Sequence, residues 1–260
     1  MAGFIDTHNH ILPGLDDGAP DMETALTIAE AAIADGIVKI VATPHSNFQF
    51  SFHPEKVREL QADLQERLQG RLEIATGCEL HITYENIRAV VADPAAYCLG
   101  GSRYVLVEFP EYFDPPAMEQ ALIQLLDRGL VPVLAHPERN PLLRRQHPLL
   151  LRFLRLGCLT QVTAASFTGR FGREAEQAAE TLLSRGLIHF IASDAHSPRH
   201  RPPQLAFAVD LITRREGAEV AEALAIGNPA AMLKGEPLPF CPEIPEERRR
   251  RGLLSFLRIG

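Results

Sequence analysis

One unit recurs along the chain and limits the folds that it can adopt. An alanine- and leucine-rich stretch of helical character ends at a glycine, and a short, partly β-branched apolar run follows. Three copies close on residues that can bind a metal: "ALTIAEAAIADGIVKIVATPH" (His45), "ALIQLLDRGLVPVLAHPER" (His136) and "AEQAAETLLSRGLIHFIASDAH" (Asp194 and His196). A fainter copy, "LLLRFLRLGCLTQVTAAS", closes on Thr and Ser. Helices that alternate with short buried strands predict parallel β-α units.

Three more apolar runs fit the same plan. The opening "GFIDTHNH" carries His8 and His10, "RLEIATGCELH" carries Glu79, and "RYVLVEFPE" carries Glu108. The length of 260 residues suits one α/β barrel. Because functional residues of such barrels lie at the carboxyl ends of the strands, we expect all eight side chains to meet on one face.

This convergence predicts a metal site. A lone histidine at a strand end is more often a hydrogen-bonded core or surface residue, and a glutamate in a strand can belong to a buried ion pair. An unpaired carboxylate at Glu108, inside "YVLVEF", would cost several kcal/mol, and eight such coincidences favour shared cations. Mixed imidazole and carboxylate ligands suit Mn, Fe or Zn better than Ca or a soft metal.

Composition and charge limit the partners and the cellular location that we expect for the protein. The formal net charge of −7 argues against a nucleic-acid partner. No apolar stretch is long enough for a transmembrane helix, and the N-terminus does not resemble a secretory signal. The four cysteines are scattered and form no C-x-x-C pair, so we expect a reduced, cytoplasmic location.

Other catalytic mechanisms lack their motifs. A cysteine-dependent tyrosine phosphatase needs an arginine six positions after its cysteine, and here those positions hold Tyr84, Tyr104, Ala164 and Glu247. There is neither a G-x-S-x-G elbow nor a Walker A loop. An amidohydrolase barrel also opens with H-x-H, but it typically has a metal-bridging lysine on a middle strand, where "YVLVEF" offers Glu108.

Six motifs together resemble the PHP (polymerase and histidinol phosphatase) superfamily of metal-dependent phosphoesterases: "DTHNH", "ATPH", "GCELH", "VEFP", "AHPER" and "SDAH". The runs "HILPGLDDGA" and "HPERN" are most similar to the bacterial protein-tyrosine phosphatases encoded with capsule and exopolysaccharide genes, the CpsB/YwqE type. The resemblance implies a distorted (β/α)7 TIM-like barrel with three divalent metal ions, Mn first and Fe or Zn as alternatives. Metals about 3.5–4 Å apart can share a hydroxide that attacks phosphorus.

The resemblance also implies a ligand set. His8, His10, Glu79 and Asp194 would hold one metal. Glu79 would bridge to a second metal, which Glu108 and His136 also hold, and Asp17, His45 and His196 would hold the third. Asp16 is the alternative to Asp17, and the sequence alone does not decide between them. Arg139 and Arg201 match the phosphate contacts of the family, with Arg199 as a near neighbour of the second.

The substrate is the less constrained part of this hypothesis. The resemblance implies a phosphotyrosine protein, such as a membrane-associated tyrosine kinase that regulates capsule or exopolysaccharide synthesis. A histidinol-phosphate phosphatase or another small phosphomonoesterase would use the same metals, and a degenerate barrel could serve as a non-catalytic scaffold. The aromatic stretches "SNFQFSFHPEK" and "FPEYFDPP" could form a rim for a tyrosyl ring, and the first could equally be a packed loop.

The chain changes character near its end. We expect the phosphoesterase barrel over residues 1–235. Residues 236–260 would form a proline-rich linker followed by a tail, "RRRRGLLSFLRIG", that is first basic and then apolar. The tail is either a solvated or packed terminus, or a weak membrane-surface or partner-docking element.

Overall fold

The structure, a computed structural model, describes residues 3–244. Its strands are β1 (Phe4–Asn9), β2 (Ile37–Ala42), β3 (His45–Ser46), β4 (Glu73–Thr76), β5 (Glu79–His81), β6 (Tyr104–Glu108), β7 (Val131–Ala135), β8 (Leu159–Thr163) and β9 (Phe190–Ala192). Its α-helices are α1 (Met22–Ala34), α2 (Pro54–Leu68), α3 (Tyr84–Ala92), α4 (Pro94–Tyr97), α5 (Pro115–Leu126), α6 (Pro141–Arg145), α7 (His147–Arg155), α8 (Arg173–Ser184), α9 (Ala206–Glu216), α10 (Ala218–Glu222) and α11 (Asn228–Leu233). Short 3-10 segments cover Leu99–Gly101 and Ala164–Thr168, and a π-helical turn covers Ala223–Gly227.

All strand pairs in the described residues are parallel, and they form two sheets. One sheet has the order β1-β2-β4, and the other has the order β3-β5-β6-β7-β8-β9. This confirms the predicted α/β fold, in which parallel strands alternate with helices along the chain.

The two sheets are continuous with each other at two interrupted strands. Two residues separate β2 from β3, and two separate β4 from β5. The backbone N–H of Gly77 donates to the carbonyl of Ala42 (2.9 Å), and that of Glu79 donates to the carbonyl of Pro44 (3.1 Å). Hydrogen bonding therefore runs across both interruptions.

The first and last strands also meet. Asn9 and Ala195 form a parallel bridge, and the N–H of Asp194 donates to the carbonyl of His8 at 2.9 Å. The buried carboxylate of Asp6 accepts the backbone N–H of Ser193 at 2.8 Å and its hydroxyl at 2.5 Å. Asp6 thus ties β1 to the segment after β9.

Each repeated unit turns at the glycine that ends its helical stretch. Gly36, Gly129, Gly157 and Gly186 all have positive φ angles, between 62° and 107°. A side chain at such a position would strain the backbone, whereas glycine adopts the left-handed conformation at the end of a helix without that cost.

The strands are buried on both faces. Along β6, Tyr104 and Leu106 belong to one apolar cluster, and Val105 and Val107 belong to the other. Because successive side chains of a strand point to opposite faces, β6 lies between two apolar layers. This packing gives the strand ends a fixed frame on which to carry polar side chains.

The first part of the predicted linker lies against the domain. Residues 236–244 contain no helix or strand, but the Tyr104 hydroxyl donates to the carbonyl of Glu236 at 2.6 Å. Asn228 exchanges two hydrogen bonds with the backbone of Phe240, at 2.8 and 3.1 Å. The basic and apolar tail lies outside the described residues. Among residues 3–244, none of the helices has the length and apolar character needed to cross a bilayer.

Candidate metal centre

The structure brings the nine predicted metal ligands together at the carboxyl ends of the strands. They lie within β1, β3, β5 and β6 or follow β1, β7 and β9 within four residues, except for one that comes from the loop after β1. Their ligand atoms form overlapping groups, each spanning at most 4.8 Å: His10, Asp17, His45 and His196; His8, His136 and Asp194; His8, His10 and Glu79; and His45, Glu79 and Glu108.

Four of these side chains surround one point. His8 Nε2 lies 3.1 Å from Glu79 Oε2, 3.4 Å from Asp194 Oδ1 and 3.1 Å from His10 Nε2. Ligand atoms about 2.0–2.2 Å from one tetrahedral cation would be about 3–3.5 Å from each other. The spacing of His8, His10, Glu79 and Asp194 therefore fits a shared ion.

Glu79 faces two groups at once. Its Oε1 lies 2.9 Å from His136 Nε2, whereas its Oε2 points towards His8, His10 and His45. Glu108 Oε1 is 3.9 Å from the same His136 nitrogen. A carboxylate with its two oxygens directed to different ligand groups has the geometry of a bridge between cations.

Asp17, and not Asp16, lies among the ligand atoms. Asp17 Oδ1 is 3.4 Å from Nε2 of both His45 and His196. Asp16 lies behind His10, where its Oδ2 accepts from His10 Nδ1 at 2.7 Å and from the backbone N–H of His45 at 3.0 Å. The adjacent aspartates therefore have different environments.

Side chains behind the ligands fix the imidazole rings. A hydrogen bond from His10 Nδ1 to Asp16 leaves Nε2 directed into the centre, which is the usual arrangement of a metal-binding histidine. Gln161 of β8 contacts His8 Nδ1 at 3.0 Å. None of the sequence motifs singles out Gln161, although it is a polar residue in the apolar run of the fainter repeat.

The donor atoms fit divalent cations. Glu79 Oε2 and His45 Nδ1 lie 3.0 Å apart, and both are buried without a hydrogen-bond partner among the described residues. An orphaned carboxylate oxygen facing an orphaned imidazole nitrogen is costly unless a ligand joins them. The set of imidazole nitrogens and carboxylate oxygens matches Mn, Fe or Zn.

Electrostatics keep the central carboxylates anionic. Burial disfavours the charge of Glu79, but the nearby His8 and His45 outweigh it and hold the pKa of Glu79 well below its usual range. Burial likewise opposes the charge of Asp194, whereas His8, Arg201 and Arg139 keep its pKa far below normal. Anionic oxygens are the form in which carboxylates bind cations.

Two of the predicted ligands have unusual backbone conformations. His136 and Asp194 have φ angles of 31° and 52°, in the left-handed region that non-glycine residues seldom adopt. Such a conformation costs about 1–3 kcal/mol and persists where the surroundings impose it. Here the two turns direct the side chains after β7 and β9 into the centre.

The two predicted arginines meet on one carboxylate oxygen. Arg201 Nη2 donates to Asp194 Oδ2 at 2.6 Å, and Arg139 Nη1 donates to the same atom. Both guanidinium groups also lie over the ring of Phe171, at 4.4 Å for Arg139 and 5.8 Å for Arg201. Arg199 is exposed and makes no such contact. No feature of the sequence had marked Phe171.

A cleft of about 240 Å³ opens over the ligands. Phe48 lines this cleft and is 84% exposed, and Phe50 stacks on His45 with ring centres 6.0 Å apart. Phe52, in contrast, is buried against Tyr97. The first aromatic stretch therefore contributes both to a rim and to the core.

The second aromatic stretch is divided in the same way. Tyr112 is 81% exposed, whereas Phe113 packs on Phe109 with ring centres 4.8 Å apart. Nearby, His81 Nε2 lies 3.2 Å from Glu108 Oε2, so His81 contacts a predicted ligand from the side of Phe48.

The cysteines are unsuited to nucleophilic attack. Cys78, Cys98 and Cys158 are buried, and burial raises the pKa of Cys98 and of Cys158 to about 12. Burial and the nearby Glu79 charge raise the pKa of Cys78 well above normal. These three thiols therefore stay protonated at neutral pH, and the exposed Cys241 does not line the cleft.

Comparisons with known proteins find a family and several relatives to which this chain is similar. A family model described as "Capsular polysaccharide synthesis, CpsB/CapC" matches residues 4–234. "Tyrosine-protein phosphatase YwqE" of Bacillus subtilis is 34% identical over 251 residues, which are 95% of this chain and 98% of the relative. "Putative tyrosine-protein phosphatase CapC" of Staphylococcus aureus is 35% identical over 204 residues, which are 76% of this chain and 79% of the relative.

A solved structure is similar over almost the whole chain. Its description covers crystal structures of YwqE from Bacillus subtilis and CpsB from Streptococcus pneumoniae and calls them "unique metal-dependent tyrosine phosphatases". It superposes with a TM-score of 0.86 at 34% sequence identity, and the match covers 94% of this chain and 100% of that chain.

Proposed function

Because the chain belongs to the CpsB/CapC capsular polysaccharide synthesis family, we propose that it is a metal-dependent protein-tyrosine phosphatase. One observation carries the proposal: the nine predicted ligand side chains form overlapping groups beside one cleft, and most of them line that cleft together with both arginines. This arrangement suits a phosphate group, which needs cations and planar donors around its oxygens.

We propose three divalent ions, with Mn as the first choice. His8, His10, Glu79 and Asp194 would hold one ion; Glu79, Glu108 and His136 the second; and Asp17, His45 and His196 the third. When bound, such ions neutralise charge on phosphate oxygens and lower the pKa of water. Asp16 and Gln161 would orient His10 and His8.

Arg139 and Arg201 would bind the non-bridging oxygens of the phosphate. A guanidinium group can give two parallel hydrogen bonds to such oxygens, which fixes orientation as well as charge. Phe171 and Asp194 hold the two groups side by side, so little ordering is left for the moment of binding.

The tyrosyl leaving group departs without much help from the protein. A tyrosyl oxygen has a pKa of about 10, so it departs more readily than an alkoxide and needs no dedicated general acid. Phe48 lies at the rim with most of its ring exposed, where it can stack on the tyrosyl ring.

We further propose a substrate and a location. The substrate would be a phosphotyrosine protein, such as a membrane-associated tyrosine kinase that regulates capsule or exopolysaccharide synthesis. The described cysteines are free thiols, which supports a reducing, cytoplasmic compartment. The basic, then apolar tail "RRRRGLLSFLRIG", at the end of residues 236–260, would give a weak membrane-surface contact.

For the fold, we propose the distorted (β/α)7 barrel. If β2 with β3 and β4 with β5 each count as one interrupted strand, β1 and β6–β9 complete seven. Support comes from the hydrogen bonds across both interruptions and from the bridge between Asn9 and Ala195. The barrel would end near residue 235, before the linker and tail, and the family match ends at residue 234.

The decisive experiment combines metal analysis with turnover. Purified protein should contain divalent ions and hydrolyse a phosphotyrosine peptide with much higher kcat/KM than histidinol phosphate. A preference for histidinol phosphate would instead identify a small-molecule phosphomonoesterase. Metal binding without hydrolysis of either substrate would indicate a scaffold.

A further inference from the structure

A second cavity shares a wall with the proposed phosphate site. Its volume is about 440 Å³, and Arg201 lines both this cavity and the cleft over the ligands. The rest of its lining comes from the 3-10 segment and loop after β8, the loop after β9, the start of α9 and the end of α1, with Thr168, Arg170, Phe171, Pro202, Gln204 and Phe207 among its residues. No step proposed above uses this cavity.

Arg170 gives the cavity an unpaired positive charge. Its side chain is exposed, and its Nη1 donates to the backbone carbonyl of His200, which is a neutral acceptor. Within residues 3–244, no carboxylate lies at ion-pair distance from Arg170. In a protein with a net charge of −7, an arginine left without an anion beside a cavity is open to an external one.

The one carboxylate in the lining is already engaged. Asp35 Oδ2 accepts the backbone N–H groups of Leu205 at 2.6 Å and Ala206 at 2.9 Å, where α9 begins. Those donors and the helix N-terminus offset its charge. Asp35 therefore does not neutralise Arg170.

The lining has the chemistry of a pocket for a short acidic side chain. The guanidinium of Arg170 matches a carboxylate, and the side-chain amide of Gln204 can donate to it, whereas the Thr168 hydroxyl already donates to the carbonyl of Ala165 at 2.9 Å. Phe171 and Phe207 provide apolar walls for the methylene groups.

We propose that this cavity binds an aspartate or glutamate side chain that flanks the phosphotyrosine of the substrate protein. The inference rests on the proposed phosphatase function, since it is Arg201 that places the phosphate beside the cavity. Residues of an extended peptide advance by about 3.3 Å each, so a neighbour within a few positions of the phosphotyrosine can reach Arg170.

Matched peptides test the proposal. Phosphotyrosine peptides with Asp, Asn or Lys at the flanking positions are compared by kcat/KM, with free phosphotyrosine as a substrate that cannot reach the cavity. The unaltered protein should prefer the Asp peptide over the Asn peptide about three- to tenfold, as expected for one or two partly exposed charge pairs. The preference should fall as salt is added.

Variants of Arg170 separate charge from structure. Arg170→Gln keeps a donor for the His200 carbonyl but removes the charge, so it should abolish the preference and leave turnover of free phosphotyrosine unchanged. Arg170→Lys should retain the preference, and Arg170→Glu should reverse it in favour of the Lys peptide. Arg128→Gln removes an equally exposed charge just before β7, at the opposite ends of the strands, and should leave the preference intact.

Other results would contradict either the acidic pocket or the phosphatase function, and the two cases can be distinguished. Equal kcat/KM for the Asp and Asn peptides in the unaltered protein would overturn the acidic pocket. So would a preference that survives Arg170→Gln, or a loss of free phosphotyrosine turnover in that variant. Failure of the unaltered, metal-loaded protein to hydrolyse any phosphotyrosine substrate would contradict the phosphatase function itself.

Discussion

Arg139 and Arg201 are the residues whose roles depend most on geometry. Each contacts a proposed metal ligand, Asp194, yet neither can bind a cation itself. Their contribution can therefore be separated from that of the metals.

Replacing either arginine by alanine should retain the metals and lower kcat/KM for a phosphotyrosine peptide. A hydrogen bond to a charged group contributes about 1.5–3 kcal/mol, which corresponds to about a ten- to hundredfold loss. Lysine should restore only part of the rate because it lacks the planar fork. Arg199→Ala is the matched control, measured with free phosphotyrosine alongside metal analysis, and parent rates in both Arg139→Ala and Arg201→Ala would remove the phosphate role.

Phe48 should determine how well the enzyme holds an aromatic leaving group. Because its ring is exposed at the cleft, Phe48→Ala should raise KM for free phosphotyrosine by about two- to tenfold, the range expected for one aromatic contact. Phe48→Tyr should behave like the parent. An alkyl phosphate, which has no ring, should show no change, and an equal loss with both substrates would point to a disturbed loop instead.

Most of the proposed ligands could be located from sequence because they lie at the ends of the repeated units or of similar apolar runs, whereas Asp17 was implied by the family resemblance. Gln161 and Phe171 could not, for different physical reasons. Gln161 occupies a buried strand position where a polar side chain has many uses. Phe171 acts through its ring face, and only the folded arrangement of two distant arginines shows that contact.

At the scale of elements, the strands β8 and β9 are joined by a buried neutral histidine. His189 Nδ1 accepts the backbone N–H of Thr160 at 3.2 Å, and Asn228 donates to the carbonyl of His189 at 2.9 Å. Burial lowers the pKa of His189 to about 4. If the ring were protonated, its Nδ1–H would face the backbone N–H of Thr160, and the hydrogen bond would be lost.

This environment predicts a loss of stability at mildly acidic pH. The unfolded chain binds a proton near pH 6.5, whereas folded His189 does so only near pH 4, so the contribution is complete above pH 6.5 and is lost as the pH falls. Between pH 7 and pH 5 the free energy of unfolding should drop by about 2 kcal/mol from this group. Urea titrations of the parent and of His189→Gln, which does not titrate, would show a smaller drop in the variant.

The exposed His53 provides the control for that measurement. His53→Gln should leave the difference between pH 7 and pH 5 unchanged. An identical pH dependence in the parent and in His189→Gln would contradict the assigned cause.

The repeat predicted the turns between elements, but not the interruptions within strands. Pro44 has no N–H to donate, so the parallel ladder breaks after β2. At Gly77 a Cβ would lie 3.0 Å from the Leu99 side chain and 3.1 Å from its Cα. Such close approaches depend on residues far along the chain, and no local pattern reports them.

At the scale of the whole molecule, the proposed metals should stabilise the fold as well as serve the reaction. The proposed ligands come from strands and loops throughout the chain, so ions can bind fully only to the folded protein. A free ion concentration of a hundred times the Kd adds about 3 kcal/mol to the free energy of unfolding for each site. A chelator should therefore lower Tm and abolish turnover, and Mn²⁺ should restore both.

A ligand variant makes that prediction specific. His136→Ala should lose metal, turnover and the rise of Tm on adding Mn²⁺, whereas His53→Ala should keep all three. Full turnover by metal-free protein would contradict the proposed metal centre.

The α/β architecture could be predicted from the repeat alone, because a helix, a glycine and a buried strand recur and each copy must pack against the next.

The pairing of β1 with the segment after β9 has a consequence for synthesis. Asp6 and Ser193 are 187 positions apart, so the first strand emerges from the ribosome long before its partner exists. Until then one edge of β1 has no strand to bind, and an open edge invites pairing with other chains. Translation that stalls before Ser193 would leave a sheet with an exposed edge, whereas the finished chain covers that edge and brings Asp194 beside His8.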